Sequence, residues 1–227
     1  AMIASAHDVS VHFSRFRVTE IALSDAANAQ FAEDHIMRAA ELLAHAKVDV
    51  IAWNGTSASW LGLDRDRALC ERITAETGTK ACTSVLAFRE IFEAAKVGRL
   101  ALVTPYTSDV QEKIMRNWSI EGIECVAERH MGLRDNFSFA EVTESKVADM
   151  VRQAVRQTPC DAAAVICTNM RGAGSAARLE QELGIPVYDS IATTLWKCLG
   201  MAGAAPAMIG GWGSLFSDLR PTGADDA

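Results

Sequence analysis

The chain has 227 residues, of which 49% are hydrophobic and 22% charged, with only 15 glycines and 5 prolines. This composition is typical of a globular α/β protein and excludes disordered, collagen-like and fibrous chains. No apolar stretch approaches the ~18 residues that a membrane-spanning helix needs, so no membrane partner is expected. The net charge of −7 argues against a nucleic-acid partner, because such a surface needs clustered lysine and arginine.

Short β-branched runs alternate with longer helical runs along the chain, which predicts parallel βαβ units. The strand-like runs are Val9–Val18, Val48–Asn54, Lys80–Ser84, Arg99–Tyr106, Ile123–His130, Ala162–Thr168 and Pro186–Ser190. The helical runs are Asp25–Ala46, Arg65–Thr77, Val85–Ala95, Asp109–Glu121, Phe139–Gln157 and Ala173–Leu183. The sequence therefore predicts an α/β fold with parallel sheets flanked by helices.

An internal repeat indicates that this fold has two homologous halves, because four segments of the first half match four of the second in the same order. The pairs are Val9–Val18 with Glu121–His130 and Asp49–Ser57 with Asp161–Asn169, each at a shift of 112 residues, then Gly78 with Gly184 and Lys80–Ser84 with Pro186–Ser190. We expect pseudo-symmetric halves at residues 1–95, completed by 200–227, and at residues 96–199, with the active site in the cleft between them. Arg99–Tyr106 has no counterpart in the first half, whose opening strand is therefore expected to be absent.

The reactive side chains show no spacing typical of a metal or nucleotide site. The six cysteines form no CxxC pair, the five histidines show neither HxH nor HExxH spacing, and there is no GxGxxG or GxxxxGK[ST] loop. We expect no metal and no cofactor. Scattered cysteines indicate reduced thiols and a cytoplasmic location.

Ligands of parallel α/β sheets bind at the carboxyl ends of the strands, where three segments carry polar residues. In the first, Asn54 and Gly55 precede the hydroxyls of Thr56 and Ser57, which can wrap a carboxylate or simply cap a helix. In the second, Tyr106 ends a strand, where its phenol either faces an anion or packs at the rim.

The third strand end carries Cys167, Thr168 and Asn169. A nearby helix N-terminus is expected to lower the pKa of the Cys167 thiol and to prepare it for proton transfer. The other cysteines are interpreted as inert and buried, with Cys82 the least clear because it too lies on a short strand near a loop.

These loops, together with the closing segment Gly210–Phe216, resemble the aspartate/glutamate racemase superfamily, specifically its maleate cis-trans isomerase and arylmalonate decarboxylase branch. The resemblance runs from about Val9 to the end of the chain. It implies cofactor-independent catalysis, usually with one cysteine per half at pseudo-symmetric positions. The repeat places Gly55 opposite Cys167, so this chain keeps only the second cysteine.

A racemase or isomerase that works with two thiols needs one on each face of its substrate. A decarboxylase needs one, because loss of CO2 generates the enediolate without a base. The leading hypothesis is a decarboxylase of a small α-substituted dicarboxylate, with Cys167 as the acid and Thr56, Ser57, Tyr106 and backbone N–H groups near Thr168 as carboxylate donors.

Two alternatives stay open from the sequence. The first is an isomerase or racemase of the same superfamily, which would pair Cys167 with a non-cysteine group or with Cys82. The second is a non-catalytic carboxylate-binding homologue. Apolar walls for a leaving carboxylate are expected from Trp53, Trp60 and Met170, unless these are core residues. The sequence leaves a homo-oligomer open.

Overall fold

Among residues 1–222, which the computed structural model describes, six strands form two parallel sheets. The strands are β1 (Val50–Trp53), β2 (Lys80–Thr83), β3 (Arg99–Val103), β4 (Glu124–Arg129), β5 (Ala162–Val165) and β6 (Val187–Asp189). The first sheet pairs β1 with β2, and the second has the order β4-β3-β5-β6. The predicted α/β class with parallel sheets is confirmed.

Helices flank both sheets. They are α1 (Asp25–Ala29), α2 (Glu33–His45), α3 (Ala58–Leu61), α4 (Leu63–Thr77), α5 (Ser84–Ala94), α6 (Ser108–Ile120), α7 (Asn136–Glu141), α8 (Glu144–Val155), α9 (Ala176–Leu183), α10 (Ser190–Met201) and α11 (Leu215–Asp218). Short 3₁₀ helices cover Met2–Ser5, Ala173–Ser175 and Pro206–Met208. In the described part of the chain, no helix combines the length and apolar character needed to cross a membrane.

The main core is built on the two central strands of the second sheet. Leu100–Val103 on β3 and Ala162–Ala164 on β5 are fully buried. The alanines of β5 have small side chains, so helices can pack closely over this strand. A smaller cluster packs α2 and α4 against β1 in the first sheet.

The same arrangement recurs at the paired strands of the two sheets. The hydroxyl of Ser84 donates to the carbonyl of Trp53 at the end of β1, at 3.5 Å, and that of Ser190 donates to the carbonyl of Val165 at the end of β5, at 3.0 Å. Trp53 and Val165 are 112 residues apart, whereas Ser84 and Ser190 are 106 apart. The second copy of the repeat is therefore six residues shorter than the first between the end of its strand and this serine.

Two glycines mark that shorter spacing. Gly78 ends α4 and Gly184 ends α9, both in the left-handed conformation, with φ of 72° and 71°. Glycine is favoured at such helix ends because it has no side chain to strain. The division into halves at residues 95/96 and 199/200 stays a prediction, and residues 223–227 lie outside the described residues.

One predicted strand is wrong. Val9–Val18 has no regular secondary structure, and Phe13 within it is 82% exposed. The matched strand, β4, pairs with β3 alone. The described residues before β1 hold no strand that takes the place of β3, so this extended segment has no ladder in which to satisfy its backbone groups.

Two predicted helices are each divided in two. Asp25–Ala46 becomes α1 and α2 because Phe31, between them, turns into the core against two tryptophans. Phe139–Gln157 is broken because Thr143 accepts the N–H of Lys146 with its side chain and so starts α8. Side-chain caps of this kind favour a new helix start over continuation.

Helix α10 was absent from the predicted helices. Asp189 caps it by accepting the N–H of Ile191 at 2.8 Å. The helix packs against α5 and against β1, β2 and β6, and so joins the two sheets. An Asp followed by apolar residues at helical spacing is a start signal that could have revealed it.

Candidate active site

The first polar loop follows β1 and turns inward. Asn54 is exposed, whereas Gly55, Thr56 and Ser57 are buried. Ser57 occupies the N-cap position of α3, but its side chain makes no capping hydrogen bond. Because it does not cap the helix, the Ser57 hydroxyl is available for another partner. The Oδ1 atom of Asn54 lies 3.4 Å from the hydroxyl of Ser84.

Tyr106 follows β3 and contacts the loop that follows β1 in the other sheet. Its hydroxyl lies 2.8 Å from that of Thr56, and only 2% of the residue is exposed. The ring meets Trp60 and Phe139 edge-on, with ring centroids 5.4 and 5.6 Å away. The tyrosine thus packs in the core with its hydroxyl turned to the first loop, and binding of an anion by that hydroxyl stays a prediction.

Cys167 follows β5 with its thiol beside the hydroxyl of Tyr106. The residue is 3% exposed, and the backbone N–H groups of Asn169 and Met170 are close enough to act as donors that lower its pKa. Burial raises the pKa of Cys167 to about 11, against the smaller lowering effect of these three donors. The expected lowering of this pKa is therefore wrong, because desolvation outweighs the donors at the strand end.

The other residues of this loop have distinct surroundings. The side-chain amide of Asn169 donates to the carbonyl and side-chain oxygens of Asn136, at 2.8 and 3.1 Å. It thus fastens the loop to the first residue of α7. Thr168 is half-buried. The structure brings together Thr56, Tyr106 and Cys167. The catalytic role of Cys167 stays a prediction, as do the substrate-binding roles of Asn54, Gly55, Thr56, Ser57, Tyr106, Thr168 and Asn169.

Gly55, at the position matched to Cys167, is covered by an apolar ring. A side chain built on Gly55 would overlap the indole of Trp53. The φ of Gly55 lies outside the left-handed region. Close approach of this ring, and not backbone angle, is therefore what requires glycine here. Trp53 in turn stacks on Phe16, with ring centroids 5.1 Å apart.

A buried carboxyl close to Cys167 was missed by the sequence reasoning. Asp189 is 1% exposed, and its Oδ2 atom has no hydrogen-bond partner among the described residues. Burial raises the pKa of Asp189 to about 7, and its charge in turn raises the pKa of Cys167. A carboxylate held at the end of a strand, before a helix, is the signal that could have identified it.

A similar buried carboxyl lies beside the first sheet. Burial raises the pKa of Asp66, on α4, to about 7, against the smaller lowering effect of the Thr83 side chain at the end of β2. With Ser57 and Trp53 it lines a cavity of about 20 Å³. Such a cavity holds roughly one water molecule. Cys167 does not line this cavity and is 3% exposed, so a ligand would have to displace neighbouring side chains to reach its thiol.

Comparison with known proteins now identifies the family. Residues 5–216 match the family model described as arylmalonate decarboxylase, and the chain belongs to this family. The arylmalonate decarboxylase of Bordetella bronchiseptica is 26% identical over 171 residues, which cover 74% of this chain and 71% of that protein. The maleate isomerase of Pseudomonas putida is 26% identical over 212 residues, covering 91% and 83%.

A solved structure has the same fold. The structure of a maleate isomerase variant from Pseudomonas putida S16 with maleate superposes with a TM-score of 0.84 at 23% identity, covering 95% of this chain and 89% of that one. The predicted resemblance is confirmed. The chain is an enzyme, a lyase or an isomerase, of the branch that contains arylmalonate decarboxylase and maleate isomerase.

Proposed function

We propose that the protein is a cofactor-independent decarboxylase of a small α-substituted dicarboxylate, in which Cys167 protonates an enediolate. The observation that carries this proposal is the unequal pair of matched positions. Cys167 presents a thiol beside Tyr106, whereas Gly55 lies under the indole of Trp53. One acid and one apolar face suit decarboxylation, which needs no base on the second face.

The protonation state of Cys167 supports the same role. A thiol with a pKa of about 11 carries its proton at neutral pH. It is therefore ready to act as an acid, whereas attack on a double bond needs the thiolate. The N–H groups of Asn169 and Met170 would stabilise the thiolate that remains after proton transfer.

The donors around Cys167 define how the substrate would lie. The retained carboxylate accepts hydrogen bonds from Thr56, Ser57 and Tyr106. When the bond to the second carboxylate breaks, its electron pair passes into the retained group as an enediolate, and CO2 leaves. Donors placed at this developing charge are worth ~3–4 kcal/mol each in comparable oxyanion sites. Cys167 then donates its proton to the α-carbon and regains one from water.

The leaving carboxylate would face the indole of Trp53. An apolar surface disfavours a charged carboxylate and favours neutral CO2, so desolvation adds to the driving force. Trp60 packs against Tyr106 and Phe31 and serves to hold the phenol in place. Met170 is buried beside Cys167 and contributes through its backbone N–H.

An isomerase is the second candidate, favoured by the longer match to the maleate isomerase relative, which covers 91% of this chain against 74% for the decarboxylase. Such an enzyme would need a partner for Cys167 on the other face. Cys82 is one candidate for this partner, but its thiol already contacts the thiol of Cys198, at 3.7 Å.

The two candidates separate in deuterated water. The protein is incubated with an α-aryl malonate, and separately with maleate, and the products are analysed by NMR and mass spectrometry. We expect CO2 and a monocarboxylate with one deuterium at the α-carbon. Fumarate from maleate without CO2 would establish the isomerase instead, and no turnover of either compound would overturn the proposal. Cys167→Ser run in parallel shows that any turnover belongs to this site.

A further inference from the structure

Two cysteines far apart in sequence lie in contact with each other. The sulfur atoms of Cys82 on β2 and Cys198 on α10 are 3.7 Å apart, although 116 residues separate them. Both are free thiols. Cys82 is buried, and Cys198 is half-buried.

The elements that carry these thiols are firmly held together. One turn before Cys198, the hydroxyl of Thr194 lies 2.7 Å from that of Ser84, which follows β2. Next to Cys198, Lys197 forms an ion pair of 2.6 Å with Glu90 on α5. Because α10 packs against β2 and α5, the two sulfurs are neighbours in the resting fold and not only during a fluctuation.

We propose that Cys82 and Cys198 form a redox-active dithiol, which a hydroperoxide converts to an intramolecular disulfide. Cys198 as thiolate attacks the peroxide, the O–O bond breaks, and the products are a sulfenic acid on Cys198 and an alcohol or water. The thiol of Cys82 then attacks that sulfenic sulfur, the S–O bond breaks, and water leaves. The two thiols lose two electrons and two protons, which reduce the peroxide.

The environment assigns the order of the two steps. Cys198 is the more exposed thiol, and its hydrogen bond with Cys82 lowers the pKa of Cys198. That same hydrogen bond and burial raise the pKa of Cys82, so Cys82 stays protonated and leaves the first step to Cys198. Thiolates and not thiols react with peroxide. Cys167 is 3% exposed and stays a thiol, so the peroxide reaches the pair first.

Formation of the bond requires only a local movement. The two sulfurs must approach from 3.7 Å to about 2.05 Å, the length of a disulfide. The cross-link would fasten α10 to β2, two residues from Ser84, whose hydroxyl contacts the end of β1. Since the disulfide closes a long loop of the unfolded chain, we expect the melting temperature to rise on oxidation and to return on reduction.

The test treats the folded protein with hydrogen peroxide, blocks the remaining thiols and maps peptides by mass spectrometry. We expect a cross-linked peptide that joins Cys82 to Cys198 and has lost two hydrogens, reversed by a dithiol reductant. In Cys82→Ser, Cys198 should stop at a sulfenic acid that dimedone traps. In Cys198→Ser, no cross-link and no trapped Cys82 are expected.

Cys160→Ser is the matched control and should cross-link like the parent. Oxidation of Cys160 or Cys167 before the pair, or a trapped sulfenic acid on Cys198 in the parent without a cross-link, would overturn the proposal. These readouts are covalent and do not depend on which reaction the active site catalyses.

Discussion

The hydroxyl oxygens of Thr56 and Tyr106 lie 2.8 Å apart although fifty residues separate them. Thr56 follows β1 in the first sheet, and Tyr106 follows β3 in the second, so this contact joins the ends of strands from both sheets. The thiol of Cys167 reaches the same phenol from the end of β5. Residues that follow three different strands thus meet at one hydroxyl group.

Cys167→Ser should reduce decarboxylation by roughly 10²–10⁴-fold, the usual contribution of a positioned general acid. An alcohol is a much weaker acid than a thiol, so the enediolate would wait for solvent. The matched control is Cys160→Ser, since Cys160 precedes β5 at its other end. Steady-state kinetics and circular dichroism check both variants. Turnover of Cys167→Ser within a few-fold of the parent would remove this thiol from the mechanism.

Tyr106→Phe should lower kcat and kcat/KM together by on the order of 10²-fold, because its hydroxyl is proposed to bind charge that develops in the transition state. Thr56→Ala should act in the same direction through the same contact. Tyr188, the chain's other tyrosine, provides the control Tyr188→Phe, which should leave both constants unchanged. A rise in KM alone would mean that Tyr106 binds the ground state only.

Asp66→Asn should change the pH dependence of stability. The pKa of Asp66 is about 7 in the folded chain, against 3.8 for an unperturbed aspartate, so between these pH values the folded chain binds one proton that the unfolded chain has released. Its stabilising contribution is complete below about pH 4 and lost as pH rises through 7. At about 1.4 kcal/mol per pKa unit, the parent loses at most roughly 4 kcal/mol from this group.

The measurement is urea unfolding at pH 5 and pH 8. Relative to the parent, Asp66→Asn should gain stability at the higher pH, because an amide needs no ionisation. Asp64→Asn, in the same helix with a side chain 96% exposed, should show no such difference. An equal offset at both pH values would mean that the burial of Asp66 does not perturb its ionisation.

Gly55→Cys should introduce a second thiol and create racemisation of an α-aryl carboxylate, while decarboxylation persists or declines. Removal of a proton on one face and its return on the other needs two such groups. The new side chain overlaps the indole of Trp53, so we expect a lower melting temperature for Gly55→Cys and partial recovery when Trp53→Ala is added. A folded variant without racemisation would show that the two positions do not share a substrate.

Much of the architecture is determined locally in the sequence. The buried run Ala162–Cys167 is apolar over its whole length, as expected of a strand covered on both faces, and the structure places β5 there at the centre of the second sheet. The polar residues after β1, β3 and β5 were predicted as site residues because the ligands of parallel sheets bind at the carboxyl ends of the strands. The prediction of a strand at Val9–Val18 is wrong because strand formation depends on a partner strand and not on β-branched residues alone.

Contacts between distant segments were decided only by the tertiary structure. No local pattern shows that Trp53 covers Gly55, that Cys82 meets Cys198, or that Asp189 is buried close to Cys167. The direction of the pKa shift of Cys167 was likewise decided by the tertiary structure. Sequence alone shows the donors at the strand end, which lower it, whereas the desolvation that raises it comes from side chains packed around the thiol by other elements of the fold.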